Sequence, residues 1–429
     1  MSNEIIKGVV AYEVLDSRGN PTLATEITLS NNTSSTAFVP SGASTGKHES
    51  IEKRDHDPKR YLGKGVSQAV SLVNGKIRDL ITGLDPFNQK ELDSILCKAD
   101  GTDNKSKLGS NTLLSVSLAN LRVSSKCQQL PLFEYINKLS NEFFIKPIGT
   151  GLPVPMMNIL NGGVHADNKL DFQEFMIQPL GFQNLKSSIR CGVEVFHELG
   201  NVLKKKNLST SVGDEGGYAP KLNSTEEALE LIIQAIELAG YKPGSEVFIC
   251  LDCASSELFG KKKYSLKGEE REYETLELIS YLKNLRSKFP ISSIEDGLDE
   301  DDWNGWKKLT EELGNNTQLV GDDLFVTNET RIKKGIRNKA ANSVLIKMNQ
   351  TGTVSETLKA ISLTKDNNFR TIISHRSGET EDTSIADLSV GVNSGQIKTG
   401  APSRSERVAK YNRLLIIEEK FKLKFGVEQ

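Results

Sequence analysis

The C-terminal half of the chain repeats one pattern, a short apolar run that ends on a polar or ionisable residue. Successive runs end on Asp252, on Glu295 and Asp296, on Asp322 and Asp323, on Lys347, on the stretch Ser374-His375-Arg376-Ser377, and on Lys398. Segments with helical periodicity fill several of the gaps, and parallel strands joined by crossover helices have this layout. In a (β/α) barrel the carboxyl ends of the strands meet on one face. The pattern therefore predicts that these side chains share one site.

Lys347 is the most informative of these residues. It directly follows the run 344–346, which is typical of a strand buried on both faces. A buried ammonium group is costly unless it is paired or its pKa falls. Taken alone, the position is equally compatible with a lysine that has left the sheet for solvent. The acids, the second lysine and the arginine at the other run ends favour a site.

The size and charge of the chain exclude several classes of function. Its 429 residues and 47.2 kDa are enough for two domains and a large core. A formal net charge of −2 and a pI of about 6.3 give no electrostatic basis for binding nucleic acid or an anionic membrane. We find no apolar stretch typical of a signal peptide and no run of the roughly 18 apolar residues that a transmembrane helix needs. We therefore expect a cytoplasmic protein with no nucleic-acid or membrane partner.

The five cysteines are few, odd in number and scattered, which suits a reducing compartment. Cys250 and Cys253 form a lone C-x-x-C. A zinc site would need a second pair or nearby histidines, and a redox motif would need a helix after the pair. Because the odd spacing sends the two side chains to opposite faces of a strand, we interpret both as packing residues.

The N-terminal third predicts a β-meander over residues 5–37 and helices over residues 65–139. Between them, residues 40–47 resemble a phosphate loop but are one residue short of the P-loop spacing. We interpret them as a mobile loop of small residues that brings Ser44 to a ligand; an ordinary surface turn is the alternative. The Pro- and Gly-rich stretch around 145–155 is the expected domain junction.

Two glycine-rich segments carry further candidate residues. The first, at 158–168, contains His165 and leads into a strand in which alternation puts Gln173 and Glu174 on opposite faces. The second, at 212–217, embeds Glu215 among glycines, where backbone can approach a ligand closely.

Asp252, Glu295 and Asp322 are hard oxygen ligands at three separate strand ends. Such a set suits Mg²⁺, which takes few carboxylates and completes its shell with water and substrate oxygens. The alternative is a salt-bridge network with the lysines and the arginine of the same face. Arg376, followed by Ser377, is a ready fork for a phosphate or carboxylate group.

A lysine beside a second lysine and a metal should have its neutral form favoured, so Lys347 is a plausible base. A metal combined with a lysine base fits proton abstraction next to a carboxylate.

A dozen long motifs run through the chain in a consistent order. They are LDSRGNPT (15–22), SGASTG (41–46), NKSKLGSN (104–111), NGGVHADN (161–168), DFQEFM (171–176), VGDEGG (212–217), LDCASSE (251–257), SIEDGLDEDDW (293–303), GDDLFVTN (321–328), LIKMNQ (345–350), SHRSGETEDT (374–383) and GQIKTG (395–400). In these motifs the chain resembles the enolase family, of the bacterial type, over essentially its whole length.

The resemblance implies a carbon–oxygen lyase that dehydrates 2-phosphoglycerate reversibly to phosphoenolpyruvate in glycolysis. Lys347 is implied as the base at C2 and Glu215 as the acid that assists loss of the C3 hydroxyl. The other implied roles are the first Mg²⁺ on Asp252, Glu295 and Asp322, a second Mg²⁺ on Ser44 and the substrate phosphate, phosphate binding by Arg376 and Ser377, substrate contacts from Lys398, His375, Gln173 and Glu174, and a closing loop that carries His165. His375 and Glu174 are expected among the catalytic groups.

The resemblance also implies an α/β fold. A smaller N-terminal α+β domain would span residues 1–140, and a C-terminal TIM-type (β/α)8-like barrel with a ββαα start would span residues 145–429. Family membership further implies a homodimer or a higher homo-oligomer. An additional pool at the cell surface or outside the cell stays open.

Two other interpretations stay open at this point. A dehydratase or racemase of the same superfamily that acts on another acid would have a different acid partner and no phosphate fork, so Arg376, Ser377 and the loop of Ser44 count against it. A binding role at a cell surface or in an RNA-processing assembly belongs to another class of function. An intact site makes it at most an additional role.

Overall fold

The computed structural model describes residues 4–42 and 46–426. It begins with an antiparallel sheet of β1 (Ile6–Leu15), β2 (Pro21–Leu29) and β3 (Ser34–Phe38). Asp16 closes the turn after β1, because its carboxylate accepts hydrogen bonds from the backbone N–H groups of Arg18 and Asn20. The predicted meander is confirmed.

Helices follow this sheet. They are a 3₁₀ turn (Tyr61–Gly63), α1 (Ser67–Leu72), a π-helical turn (Val73–Ile77) that continues into α2 (Arg78–Ile81), α3 (Gln89–Asp100), α4 (Ser110–Cys127) and α5 (Leu132–Ser140). Helix α4 packs on β2 and β3. Leu114, Leu118 and Leu121 of this helix follow the spacing of one helical face, and all three are buried in the core.

Of the strands that follow in the described part of the chain, eight build a closed barrel and three form a separate sheet. They are β4 (Val154–Asn161), β5 (Glu174–Pro179), β6 (Val247–Asp252), β7 (Phe259–Gly260), β8 (Lys263–Leu266), β9 (Arg271–Tyr273), β10 (Ile291–Glu295), β11 (Gln318–Gly321), β12 (Ser343–Ile346), β13 (Arg370–Ser374) and β14 (Gly395–Lys398). The barrel order is β4-β5-β6-β10-β11-β12-β13-β14, closing back to β4. Strand β5 runs antiparallel to both neighbours, and the other barrel pairs are parallel. Strands β7 to β9 form a separate small sheet.

Helices connect the barrel strands. They are a 3₁₀ turn (Gly163–His165), α6 (Leu185–Lys205), α7 (Thr225–Leu238), α8 (Ser255–Leu258), α9 (Thr275–Lys288), α10 (Trp303–Leu313), α11 (Glu329–Asn338), α12 (Met348–Thr351), α13 (Val354–Asp366), α14 (Ser384–Gly391) and α15 (Ser405–Phe421). Because α6 and α7 both follow β5 before β6 begins, the ββαα start is confirmed. None of the helices in the described ranges combines the length and hydropathy that a bilayer span requires.

The barrel interior is packed in layers. An apolar layer consists of Met156, Met176, Cys250, Val320, Leu345 and Ile372. Cys253 belongs to the larger core outside this layer, which agrees with two packing cysteines. Toward the amino ends of the parallel strands, Gln396 accepts a hydrogen bond from Gln178 at 2.9 Å and exchanges hydrogen bonds with Gln318 at 2.8 and 3.0 Å. This glutamine floor and the apolar layer leave the carboxyl ends of the strands to carry the site.

Buried polar side chains join α3 to the barrel. The Asp93 carboxylate accepts hydrogen bonds from the backbone N–H of Ser355 in α13 at 2.9 Å and from Gln89 at 3.1 Å. Burial raises the pKa of Asp93 to about 6.

Asp93→Asn should change how stability depends on pH. The folded-state pKa of Asp93 lies above its ordinary value of 3.8, so the folded protein binds this proton more tightly than the unfolded chain. The folded protein therefore loses stability as the pH rises from 3.8 through about 6. Since asparagine does not ionise, the stability of the variant relative to the parent should increase by on the order of 2 kcal/mol between mildly acidic and neutral pH. Denaturant unfolding at both pH values measures it, and a difference that is constant with pH would contradict the interpretation.

Candidate active site

The carboxyl ends of the barrel strands and their loops surround a small cavity with a free volume of about 30 Å³. Its lining includes these predicted residues: His165, Gln173, Glu174, Glu215, Asp252, Asp322, Lys347, His375, Arg376, Ser377 and Lys398. Glu295 lies within reach of the same group through Lys398. Ser44 lies outside the described residues.

Strand register explains why three of the acids are neighbours. Glu174 of β5 pairs with Asp252 of β6, and Asp252 pairs in turn with Glu295 of β10. Register partners on adjacent strands project from the sheet at the same level. The three carboxylates consequently form one row across β5, β6 and β10.

Lys398, the last residue of β14, compensates this row. Its Nζ lies 3.1 Å from Glu174, 3.5 Å from Asp252 and 2.8 Å from Glu295. Burial alone would lower the pKa of Lys398, but the nearby carboxylates raise it well above its usual range. The lysine is therefore a permanently charged partner of the acids.

Lys347 pairs with Asp322, the residue that follows β11. The other oxygen of Asp322 accepts a hydrogen bond from Gln350 at 3.0 Å. Burial favours the neutral amine, and Arg376 and Lys398 favour it further, but Asp322 outweighs them and the pKa of Lys347 is raised. The expectation that a second lysine and a metal favour the neutral form of Lys347 concerns a site in which Asp322 binds the metal, and it stays a prediction.

The residues fit a hard divalent cation. Burial and the charge of Asp252 raise the pKa of Glu295, and Glu295 Oε2 is buried without a hydrogen bond. The row and Asp322 together supply more carboxylates than Lys347 and Lys398 neutralise. Oxygen donors with surplus negative charge suit Mg²⁺.

The three predicted ligands do not by themselves form one compact group. Among the described residues, sets of three or more possible ligands whose donor atoms all lie within 4.8 Å of one another form two groups, Asp296-Asp322-Asp323 and His165-Glu174-Glu215. Each of the three acids instead contacts a lysine. Lys398 lies against Asp252 and Glu295, and Lys347 engages Asp322.

Glu215 lies on the far side of the cavity, in contact with two histidines. Its carboxylate is 3.2 Å from His375 Nε2 and 3.8 Å from His165 Nδ1, and it accepts a hydrogen bond from Asn158 of β4 at 3.1 Å. Burial lowers the pKa of His375 to about 4. Arg407 donates to His375 Nδ1 at 2.6 Å, and since an arginine only donates, the neutral ring carries its proton on Nε2, beside Glu215.

Two functional contacts were missed in the sequence. The fork of Arg376 is engaged: its Nη1 and Nη2 donate to Glu49 Oε2 and Oε1 at 3.0 and 3.2 Å. Arg407, from α15, also donates to the backbone oxygens of Arg376 and Ser377 at 2.6 and 2.5 Å. The proximity of Glu49 to the loop of Ser44 was an available signal. Nothing local distinguished Arg407 from other helical arginines.

These features define a class, a TIM-barrel enzyme whose acids, lysines and arginine converge at the carboxyl ends of the strands. The comparisons with known families narrow the class. The family described as "Enolase, C-terminal TIM barrel domain" matches residues 149–425, and "Enolase, N-terminal domain" matches residues 6–136. The chain therefore belongs to the enolase family, whose members are metal-dependent lyases that act on small molecules.

Lys398→Met should destabilise the protein, and Mg²⁺ should reverse part of the loss. Without the ammonium group, the carboxylates of Glu174, Asp252 and Glu295 are buried with no adjacent counter-charge. Removing one partner of a buried ion pair costs about 3–5 kcal/mol of stability. Thermal unfolding of parent and variant should show a larger Mg²⁺-dependent rise in Tm for the variant.

Lys410→Met is the matched control. Lys410 is equally buried and pairs with Glu379 at 2.8 Å, away from the cavity. The Lys410→Met variant should be destabilised to a similar degree, and Mg²⁺ should not restore its Tm. If Mg²⁺ raised the Tm of both variants equally, the row of acids would not be a cation site.

Proposed function

We propose that the chain catalyses the reversible, Mg²⁺-dependent dehydration of 2-phosphoglycerate to phosphoenolpyruvate. The observation that carries the proposal is the placement of a lysine and a glutamate on different sides of one buried, charged cavity. Lys347 directly follows β12, whereas Glu215 contacts β4, and β13 and β14 lie between these strands in the barrel. This reaction needs a base for the C2 proton and an acid for the C3 hydroxyl.

Lys347 would take the C2 proton. A Mg²⁺ ion on Asp252, Glu295 and Asp322 would stabilise the negative charge that the substrate carboxylate gains during this step. When Asp322 serves as a ligand, the charges of Arg376 and Lys398, which lower the pKa of Lys347, favour the neutral amine that a base requires.

Glu215 would donate a proton to the departing C3 hydroxyl. The Nε2–H of neutral His375 lies beside its carboxylate and would orient it, while Arg407 fixes the imidazole from the other nitrogen. Arg376 and Ser377 would bind the phosphate group. Lys398, Gln173, Glu174 and His165 would line the remainder of the substrate.

Other parts of the proposal rest on family membership. Ser44 would hold a second Mg²⁺ together with the substrate phosphate. The two domains would span residues 1–140 and 145–429. The protein would be a cytoplasmic, glycolytic enzyme that forms a homodimer or a higher homo-oligomer.

The purified protein should form phosphoenolpyruvate from 2-phosphoglycerate with Mg²⁺ and lose this activity in EDTA. Ultraviolet absorbance of the product measures the rate, and glycerate, which lacks the phosphate, serves as the control substrate. Conversion of glycerate or another unphosphorylated hydroxy acid, without conversion of 2-phosphoglycerate, would instead indicate a different dehydratase or a racemase.

Two variants should separate the two proton transfers. Lys347→Ala should abolish both dehydration and exchange of the C2 hydrogen with solvent deuterium, because both need the base. Glu215→Gln removes only the acid, so dehydration should collapse while C2 exchange persists. NMR of 2-phosphoglycerate in D₂O with Mg²⁺ follows both processes. The assignment is wrong if Glu215→Gln binds substrate and metal yet loses exchange as completely as Lys347→Ala.

A further inference from the structure

Glu49 is a buried acid to which the proposed reaction assigns no role. Its two oxygens accept the pair of hydrogen bonds from Arg376, and the side chains of Arg376 and Glu49 are only 4% and 6% exposed. Oε1 also accepts hydrogen bonds from Gln350 Nε2 and from the backbone N–H of Gly46, each at 3.2 Å. The carboxylate is thus bound on both oxygens.

The barrel fixes the segment that carries Glu49. Lys47 donates from its backbone N–H to Glu300 at 3.1 Å and from Nζ to Asp301 at 3.0 Å. His48 Nε2 lies 2.9 Å from Asp301. These contacts hold Lys47 and His48 against the loop after β10 and so help to position the carboxylate of Glu49 beside Arg376.

A guanidinium group binds carboxylate and phosphate through the same parallel N–H groups. The two N–H groups that hold Glu49 therefore cannot hold a phosphate at the same time. A phosphate group can bind these two N–H groups only if the carboxylate of Glu49 leaves them.

We propose that Glu49 is a competing ligand of Arg376 that the substrate phosphate displaces, and that it thereby sets the affinity of the site for phosphate-bearing substrates. The inference rests on the proposed function, because it takes Arg376 as the phosphate-binding residue. In the absence of substrate, Glu49 compensates the buried charge of Arg376. A phosphate group that binds must first break this pair, so its binding free energy is less favourable by the free energy of the pair.

The test is the affinity of the full-length protein for inorganic phosphate, measured by calorimetry at fixed Mg²⁺ concentration and ionic strength. Glu49→Gln keeps the shape of the side chain but removes its charge, so phosphate no longer competes with an anion. One charged hydrogen bond is worth enough to change an affinity about tenfold, and we expect phosphate to bind at least that much more tightly. If Glu49 only orients Arg376, the same variant will bind phosphate equally or more weakly, which would overturn the proposal.

Asp301→Asn is the matched control for a loosened segment. It weakens the contacts of Lys47 and His48 without touching Arg376, so it should leave phosphate affinity within about twofold of the parent. Equal tightening in Asp301→Asn and Glu49→Gln would assign the effect to the segment and would count against competition. If Glu49→Gln does not fold, Glu49→Asp decides the question, because its shorter carboxylate weakens the paired contact and should tighten phosphate binding by a smaller factor.

Arg376→Lys distinguishes a failure of this inference from a failure of the proposed function. Lysine cannot reproduce the paired hydrogen bonds, so phosphate binding should be lost in the parent and in the Glu49→Gln background. If Arg376→Lys binds phosphate like the parent, Arg376 is not the phosphate ligand, and the proposed function and the inference both fail. If only the effect of Glu49→Gln is missing, the inference alone fails.

Discussion

The contact on which the site depends most is the ammonium group of Lys398 among the carboxylates of Glu174, Asp252 and Glu295. Strand register places these acids in one row, and their mutual repulsion in a buried position would oppose closure of the barrel. Lys398 belongs to β14, which is not adjacent to β5, β6 or β10. The lysine therefore joins strands across the barrel. It also compensates the carboxylates that suit the site to a cation, so that the folded barrel can bury them.

Much of the barrel and of its site could be predicted from the sequence. Each strand-end residue, such as Asp252 or Lys347, is placed by a local property, an apolar run that stops at that position. The ββαα start is not a local property, because no periodicity distinguishes an antiparallel β5 from a parallel one. Here the resemblance to the family supplied what the pattern did not.

Contacts between distant segments were beyond sequence reasoning. Glu49 and Arg376 are 327 residues apart, and Arg407 and His375 are 32 apart on different elements. The pairing of Glu49 with Arg376 depends on how the N-terminal part of the chain packs on the barrel, and charges alone allow many pairings. The protonation state of Lys347 belongs here too, since it depends on whether Asp322 contacts the lysine or a metal.

The glutamine floor has a consequence for assembly of the barrel. Gln396 joins Gln178 and Gln318, which lie on strands that do not neighbour its own. A shift of one residue in any of these strands would turn an amide away from its partners and leave it buried and unsatisfied. The glutamine floor thus favours the native strand register over barrels in which a strand has shifted. An apolar floor of equal volume would not distinguish them in this way. This preference for the native register depends only on hydrogen bonds among the glutamines, so it acts without any bound ligand.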